Sequence, residues 1–304
     1  MKVRKVILFV NSRKKNARNL ASVIISELKA RNITADFCSI DENPNFSANA
    51  KGAAYDIAIS LGGDGTVLSA ARAVSPMGIP VFPVNLGTFG FIAGISPSQW
   101  LTVFEQWLDD KAHCSRRLML EVIVSRNDRE IFHGCCLNDA VISASGAVKI
   151  IKLRLSCSEN SSKDFMKLGL YHSDGIIVST PTGSTAYSAA AAGPIVDPEL
   201  EALILNPICP FTLTHRPMVL PAEETILAEV DKGQKNGVQL TLDGHVTEKL
   251  KREDRVYFKK APYSCFLIAS GRRGFYHALR TKLSWAGEGV SLLTDDSLTG
   301  SHEA

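Results

Sequence analysis

The chain has 304 residues, 45% of them hydrophobic, with 34 Lys and Arg against 31 Asp and Glu and a formal net charge of +3. That length and apolar content exclude a disordered tail and are enough for two ordinary domains with a substantial core. So mild a charge, with both signs spread along the chain, gives no basis for nucleic acid as the main partner, and no apolar segment nears the roughly 20 residues that cross a bilayer.

In chain order, Lys5–Val10 reads as a strand: Val6–Val10 is a short apolar run ended by Asn11, too short for a signal peptide. The basic runs Arg13–Lys15 and Arg252–Lys260 are expected as solvated faces. Ala17–Ala30 has helical spacing, with Leu20, Val23, Ile24 and Leu28 on one side. A second strand is expected at Ile33–Ile40 and a polar loop at Asp41–Gly52. The seven cysteines (Cys38, Cys114, Cys135, Cys136, Cys157, Cys209 and Cys265) include no CxxC pair and are expected reduced and mostly buried, as in a cytoplasmic protein.

The stretch Tyr55–Arg72, YDIAISLGGDGTVLSAAR, organises the rest. Tyr55–Leu61 has the apolar run of a buried strand and Val67–Val74 the alanine-rich make-up of a helix, so Gly62-Gly63-Asp64-Gly65-Thr66 is expected as the turn between them. Gly62, Gly63, Gly65 and Thr66 would offer amides to a phosphate chain at the positive end of the helix. Asp64 would repel that ligand, unless it holds a metal ion or accepts a proton from an attacking hydroxyl. The alternative is that Asp64 only caps the helix or tolerates a tight turn. Pro80–Asn85 is expected as a strand, and Asn85–Phe91 as a second glycine-containing turn at the same end of the sheet. Gly87 and Gly90 there either admit a ligand or only make a bend.

Pro97–Asp110 is expected as a helix, after which the periodicity turns strand-like: Leu118–Val124, Glu130–Cys136, Ala140–Ala144 and Lys149–Cys157. The expected fold class is therefore α/β, with a Rossmann-like open parallel sheet at residues 1–113 and a β-rich, antiparallel domain at 114–274. The tail Gly274–Trp285 returns to helical spacing and is expected to pack back on the first domain, adding residues 275–304 to it.

Three clusters fall in the second half. Asn138-Asp139 follows an apolar strand and can serve an adenine edge or ribose hydroxyls, or be only a turn. From His172 and Asp174 a buried strand leads into Ser179–Ser184, where five of six residues are Ser, Thr or Gly, then into an alanine helix ended by Gly193-Pro194. Such a loop offers donors to phosphate or ribose, and Tyr187 could face a base; otherwise it is a decorated helix cap. Leu242-Asp243-Gly244-His245 reads as a hairpin turn, and His215-Arg216 as an anion contact or a surface pair.

Together LGGDGTVLSAAR, NLGTFGFIAGI, LNDAVI, SDGIIVSTPTGSTAYSAAAAGPIV, RPMVLP, LDGH and FYHALRTKLSW resemble the bacterial NAD kinase family, dependent on ATP or polyphosphate. GGDGT alone is shared with diacylglycerol and sphingosine kinases and phosphofructokinases; the TPTGSTAYS run is far more specific. The resemblance implies phosphoryl transfer to the 2′-hydroxyl of the adenosine ribose of NAD, with Asp64 as proton acceptor and Gly65 beside it. It also implies NAD contacts from Asn138, Asp139 (where the family usually has Glu), Lys149, His172, Asp174, Thr185, Ala186, Tyr187, Ser188, Ala189, Ala190 and His245. A divalent metal, Mg²⁺, a cytoplasmic homodimer or homotetramer and a β-sandwich-like second domain are implied as well. So is a short insertion at Ser158–Lys167. The rival readings are a lipid kinase of the diacylglycerol type using the same turn, and a non-catalytic NAD-sensing module.

Overall fold

The computed structural model describes residues 3–40, 54–87, 90–146, 150–159, 164–212, 214–269 and 271–283. Its first half alternates strand and helix: β1 (Lys5–Val10), α1 (Ala17–Ala30), β2 (Thr34–Ser39), β3 (Ile57–Gly62), α2 (Asp64–Val74), β4 (Val81–Asn85) and α3 (Trp100–Leu108). The loop expected at Asp41–Gly52 lies outside the described residues. The strands are ordered β2-β1-β3-β4, all parallel. The inner strands β1, β3 and β4 are buried on both faces because helices cover both, while the edge strand β2 is largely exposed. Val6, Leu8, Val10, Ile57, Ile59 and Leu61 pack with α1 and α3, while Ile7, Phe9 and Ala58 pack with α2 on the opposite face. The chain runs from β1 outward to β2 and from β3 the other way to β4, so the order reverses between β1 and β3. Sheets of this kind hold ligands at the carboxyl ends of the strands flanking that reversal.

Two helices differ from expectation. The buried stripe of α1 is Ala17, Ala21, Ile24 and Leu28, while Val23 is 53% exposed. Alanine lets the helix lie close to the sheet, which rotates Val23 outward. Pro97–Asp110 contracts to Trp100–Leu108 because the Gln99 N–H closes a turn on Ser96 O (3.1 Å) and Asp110 takes a positive φ of 58°.

The second half is antiparallel and forms a sandwich. Its strands are β5 (Cys114–Arg126), β6 (Arg129–Cys136), β7 (Asp139–Ala144), β8 (Ile151–Ser158), β9 (Met166–Ser173), β10 (Gly175–Ser179), β11 (Ala202–Ile208), β12 (Met218–Pro221), β13 (Thr225–Val230), β14 (Val238–Leu242), β15 (Val246–Leu250) and β16 (Arg255–Ile268). A six-stranded sheet, β12-β11-β10-β7-β14-β15, packs against β5, β8, β13 and β16 around Leu120, Val122, Leu153, Ile226 and Phe258 from one side and Ile142, Val178, Leu205 and Leu240 from the other. The insertion at Ser158–Lys167 is the connection from β8 to β9, with residues 160–163 outside the described ones.

The sheet of the first half does not stop where the pattern changes. β16 pairs antiparallel with β13 and β5, and its end reaches β4, where Leu267 pairs in parallel with Val81. One ten-stranded sheet therefore runs through both halves. A register shift between Lys260 and Ser264 lets this long strand change course, as a bulge does. The basic run at its start is less solvated than expected: Lys259 pairs with Glu121 (2.9 Å), Lys260 with Glu201, and Arg252 donates to Gln234 O (2.6 Å).

The alanine run after the hydroxyl-rich loop yields only a 3₁₀ turn, Thr182–Thr185, and one helical turn, α4 (Tyr187–Ala190). Asn206 Nδ2 donates to Ser188 O (3.0 Å) and Ala191 O (3.2 Å), carbonyls a longer helix would need, and Gly193 is pressed onto Ser188. The last helix, α5 (Arg272–Leu283), buries Phe275, Ala278 and Leu279. It sets Lys282 Nζ 5.1 Å from the Phe91 ring centroid, which returns the chain to the first half.

Candidate active site

The glycine turn is shorter than expected. β3 ends at Gly62 and α2 starts at Asp64, so only an extended Gly63 (φ −114°, ψ −166°) separates them, and Asp64, Gly65 and Thr66 are the first helical turn. A carboxylate at that place is favoured by the positive end of the helix. A Cβ on Gly62 would lie 1.9 Å from Thr66 Oγ1, whereas one on Gly63 would meet nothing within 4 Å. Thr66 is buried, so its hydroxyl does not reach the crevice, while Gly63 is the open face of the turn.

Asp64 is half-buried beneath the segment that follows β4. Its carboxylate accepts the main-chain N–H groups of Phe91 (3.0 Å), Ile92 (3.3 Å) and Ala93 (2.9 Å). Gly90 makes this possible, because a Cβ there would come within 2.0 Å of Asp64 Oδ1. Close approach therefore explains Gly90, and the group approached is the protein's own carboxylate. Asp64 is neither free in the turn nor its cap; it is clamped by a strap of three amides.

Asn138-Asp139 is the corner at which the chain steps from one sheet to the other, from β6 to β7. Amides at such a corner have no ladder partner, and Asp243 supplies one. Its carboxylate accepts the N–H groups of Asn138 (2.8 Å), Leu137 (3.2 Å) and Asp139 (3.4 Å), and Arg72 Nη1, from the last turn of α2, donates to it at 2.7 Å. The Asp243 side chain is 0% exposed and that of Arg72 15%. Positive φ at Asp243 (48°) and Gly244 (70°) gives the hairpin turn of the primed type that joins β14 to β15.

Two hydroxyls of the Ser179–Ser184 run serve this corner, and a third ties the run to Val196. Thr180 Oγ1 donates to Leu137 O (2.6 Å), Ser179 Oγ to Asn138 O (3.1 Å) and Ser184 Oγ to Val196 O (3.2 Å). Gly183 is required because a Cβ would sit 2.1 Å from Asn138 O. The expectation that these hydroxyls point at phosphate or ribose is thus corrected for Ser179, Thr180 and Ser184, which are buried and bond the protein's own backbone, while Thr182 Oγ1 is buried without a partner.

The pocket at this corner is a cavity of about 360 Å³ lined by Asn138, Asp139, Ala186 and Tyr187, by Asp243 and Gly244 of the expected hairpin turn, and by Val141, Ser143 and Thr241, which the sequence reading did not single out. The alternation of β7 and β14, with Val141 opposite Thr241, would have revealed them once the pairing was known. Tyr187 is 48% exposed, a ring available to stack on a base. Asp139 is buried, and burial, followed by the nearby Asp243 charge, pushes its carboxyl up to about 7, against a backbone hydrogen bond from Tyr187. Asn138 Oδ1 is buried without a partner.

The remaining residues sort by distance from this cavity. His245 donates from Nδ1 to Asp243 O (2.6 Å), and its ring lies along Gly65, where a Cβ would be 3.7 Å from Cε1. It therefore bridges the turn that holds Asp64 and the cavity. Asp174 is half-buried just before Gly175, which pairs with Ser143 of the cavity wall. Thr185 turns its hydroxyl back to Thr182 O (3.3 Å), Ser188 is buried against Asn206, and neither these two nor Ala189 and Ala190 are among the residues that line the cavity. His172 keeps Nε2 buried and unpartnered on β9, and His215 stacks on Tyr171 with centroids 4.0 Å apart. Lys149 lies outside the described residues.

Comparison with known proteins bears directly on these features. Residues 7–112 match the ATP-NAD kinase N-terminal domain and residues 137–270 the ATP-NAD kinase C-terminal domain. The chain is 38% identical over 288 residues to an NAD kinase of Treponema denticola, covering 94% of this chain and 98% of that one. It is 41% identical over 230 residues to an NAD kinase of Geobacter sulfurreducens, covering 76% and 78%. Its fold matches a yeast NADH kinase crystallised with NADH (TM-score 0.81, 22% identity, 96% and 91% covered) and an NAD kinase from Archaeoglobus fulgidus in complex with ATP (TM-score 0.68, 22% identity, 90% and 96% covered). With the two domain matches and a 38% identical relative aligned along 98% of its length, the chain belongs to the ATP-NAD kinase family.

Proposed function

We propose that the chain transfers the terminal phosphoryl group of ATP to the 2′-hydroxyl of the adenosine ribose of NAD, giving NADP and ADP, and that the cavity beside Asn138, Asp139 and Tyr187 holds the dinucleotide. The observation that carries this is the unbroken run of contacts from Asp64 and Gly65 through His245 and Asp243 to Asn138 within one subunit. On this reading the turn of the proton acceptor and the dinucleotide pocket share one cleft.

The ribose oxygen forms a bond to the γ-phosphorus, the bond from that phosphorus to the β-bridging oxygen breaks, and the hydroxyl proton passes to Asp64. A carboxylate offers about four lone pairs; the strap uses three, two on Oδ1 and one on Oδ2, which leaves Oδ2 able to accept the hydroxyl. The amides fix its direction, so alignment supplies much of the acceleration for a loose phosphoryl transition state. Among the described residues no group of three or more His, Cys, Asp and Glu could cage a metal. Mg²⁺ would therefore arrive on the donor phosphates, and the proton path does not pass through it. A cytoplasmic location is supported by seven unpaired cysteines, and a homo-oligomer by exposed Phe211 and Val219. No helix among the described residues is long and apolar enough to cross a membrane. Neither a lipid kinase nor a non-catalytic sensing module has an observation in its favour.

The test is Asp64→Asn in a coupled NADP-formation assay. Loss of a general base lowers turnover by about 10²- to 10⁴-fold, while NAD affinity by calorimetry stays within a few fold. Turnover near that of the parent would remove Asp64 from the mechanism.

A further inference from the structure

We infer that Lys14 is a donor-side binding residue, whose ammonium group holds the phosphate chain of the phosphoryl donor in the crevice between β1 and β3. The inference rests on the phosphoryl-transfer reading above and gives the donor half of the site the protein cation which that reading leaves out.

Three strand ends meet at this lysine. The loop after β1 is tied to the end of β3 by the Asn11 N–H on Leu61 O (3.0 Å), one residue before the glycine turn. Lys14 N–H on Asn11 O (3.0 Å) and Ala17 N–H on Lys14 O (3.2 Å) fix the backbone on both sides of the side chain. From the far side, Leu86 N–H donates to Gly62 O (2.7 Å), and the Gly87 N–H is held by Asn85 Oδ1 (3.0 Å). Lys14 Nζ then lies 3.5 Å from the place a Cβ on Gly87 would occupy. A run expected to be merely solvated thus delivers its middle residue to the strand-order reversal, where ligands of such sheets bind.

The electrostatics point the same way. Among the described residues no carboxylate pairs with Lys14, and Asp64 turns its charge to the amides of Phe91–Ala93. Beside it the open face of Gly63 leaves room for a phosphate-sized group. A triphosphate carries several negative charges, and bare amides alone compensate them poorly. The dinucleotide's own phosphates are the other possible anion, but the residues that line the dinucleotide cavity include neither Lys14 nor Gly87, and the glycine turn meets that cavity through His245 against Gly65. In-line transfer requires donor and acceptor on opposite sides of the transferred phosphorus, so the Lys14 side falls to the donor.

The experiment measures initial rates with ATP and NAD varied in turn for Lys14→Met, Lys14→Arg and Lys15→Met. Loss of one charge-assisted contact raises the ATP KM of Lys14→Met about ten- to a hundredfold, with the NAD KM within about twofold. Lys14→Arg keeps most ATP affinity, and Lys15→Met, which removes the same charge one residue away, stays near the parent. Lys14 is exposed, so the melting temperature should not move; Lys14→Gln serves if the methionine variant fails to fold. An unchanged ATP KM, a shift in the NAD KM instead, or an equal shift in Lys15→Met overturns the inference. Asp64→Asn run alongside separates the two readings. Normal turnover in that variant sinks the base assignment alone, and a silent Lys14→Met beside an inactive Asp64→Asn sinks only the donor contact.

Discussion

Replacing Arg72 by Met tests whether the two halves of the cleft are set by one buried ion pair. Met retains most of the apolar stem of Arg72 but loses the guanidinium and its 2.7 Å bond to Asp243, whose side chain is fully buried and left with three amide donors. Removing one partner of a buried pair costs about 3–5 kcal/mol. The 15% exposure of Arg72 and the surviving amides place the cost near the lower end, about 3 kcal/mol, or a fall of roughly 6–10 °C in melting temperature for a chain of this size. The Leu137–Asp139 corner should loosen with it, raising the NAD KM by about tenfold. Arg72→Met/Asp243→Asn, which removes the stranded charge but keeps one oxygen for the corner amides, should recover roughly half of the stability loss. Thermal unfolding and NAD-dependent initial rates read both effects. A single variant that melts within about 1 °C of the parent with the same NAD KM would refute the reasoning.

Asp139 gives a pH signature. Its folded value of about 7 lies above the unfolded carboxylate range, so its contribution to stability is complete below about pH 4 and is lost as pH rises through about 7. Asp139→Asn escapes that loss, of up to about 4 kcal/mol, and should gain more melting temperature over the parent at about pH 8 than at about pH 5; equal gains would contradict the assignment. Gly90→Ala forces a Cβ to 2.0 Å from Asp64 Oδ1, whereas Gly63→Ala meets nothing within 4 Å. The first should lose most NADP formation and the second should fold normally, with any penalty confined to the ATP KM; indistinguishable kinetics would separate the strap from catalysis.

The sequence carries its local features well. The strand before Gly62, the alanine-rich helix after it and the alternating strands of the second half are written in periodicity, and the fold follows. What sequence cannot show is pairing across long separations. Arg72 and Asp243 are 171 residues apart, and nothing near either announces the other. LDGH looks like any hairpin turn until the amides of the Leu137–Asp139 corner are seen to converge on it. The hydroxyl-rich run is misread for the same reason: its composition reveals donors but not that Leu137 and Asn138 offer the carbonyls they meet. Gly90 is ambiguous alone because the group it must admit, the Asp64 carboxylate, belongs to a different turn.

β16 has a mechanical consequence. A jaw-like closing of one half on the other would have to shear a sheet that continues from the parallel strands into the sandwich through β16, giving up its pairing with β4 at Leu267 and Val81 or with β5. The molecule is built like a girder with two tools bolted to it at a fixed spacing. Adjustment to substrates therefore falls to small parts: the strap over Asp64, the ring of Tyr187 and the long side chains at the rim.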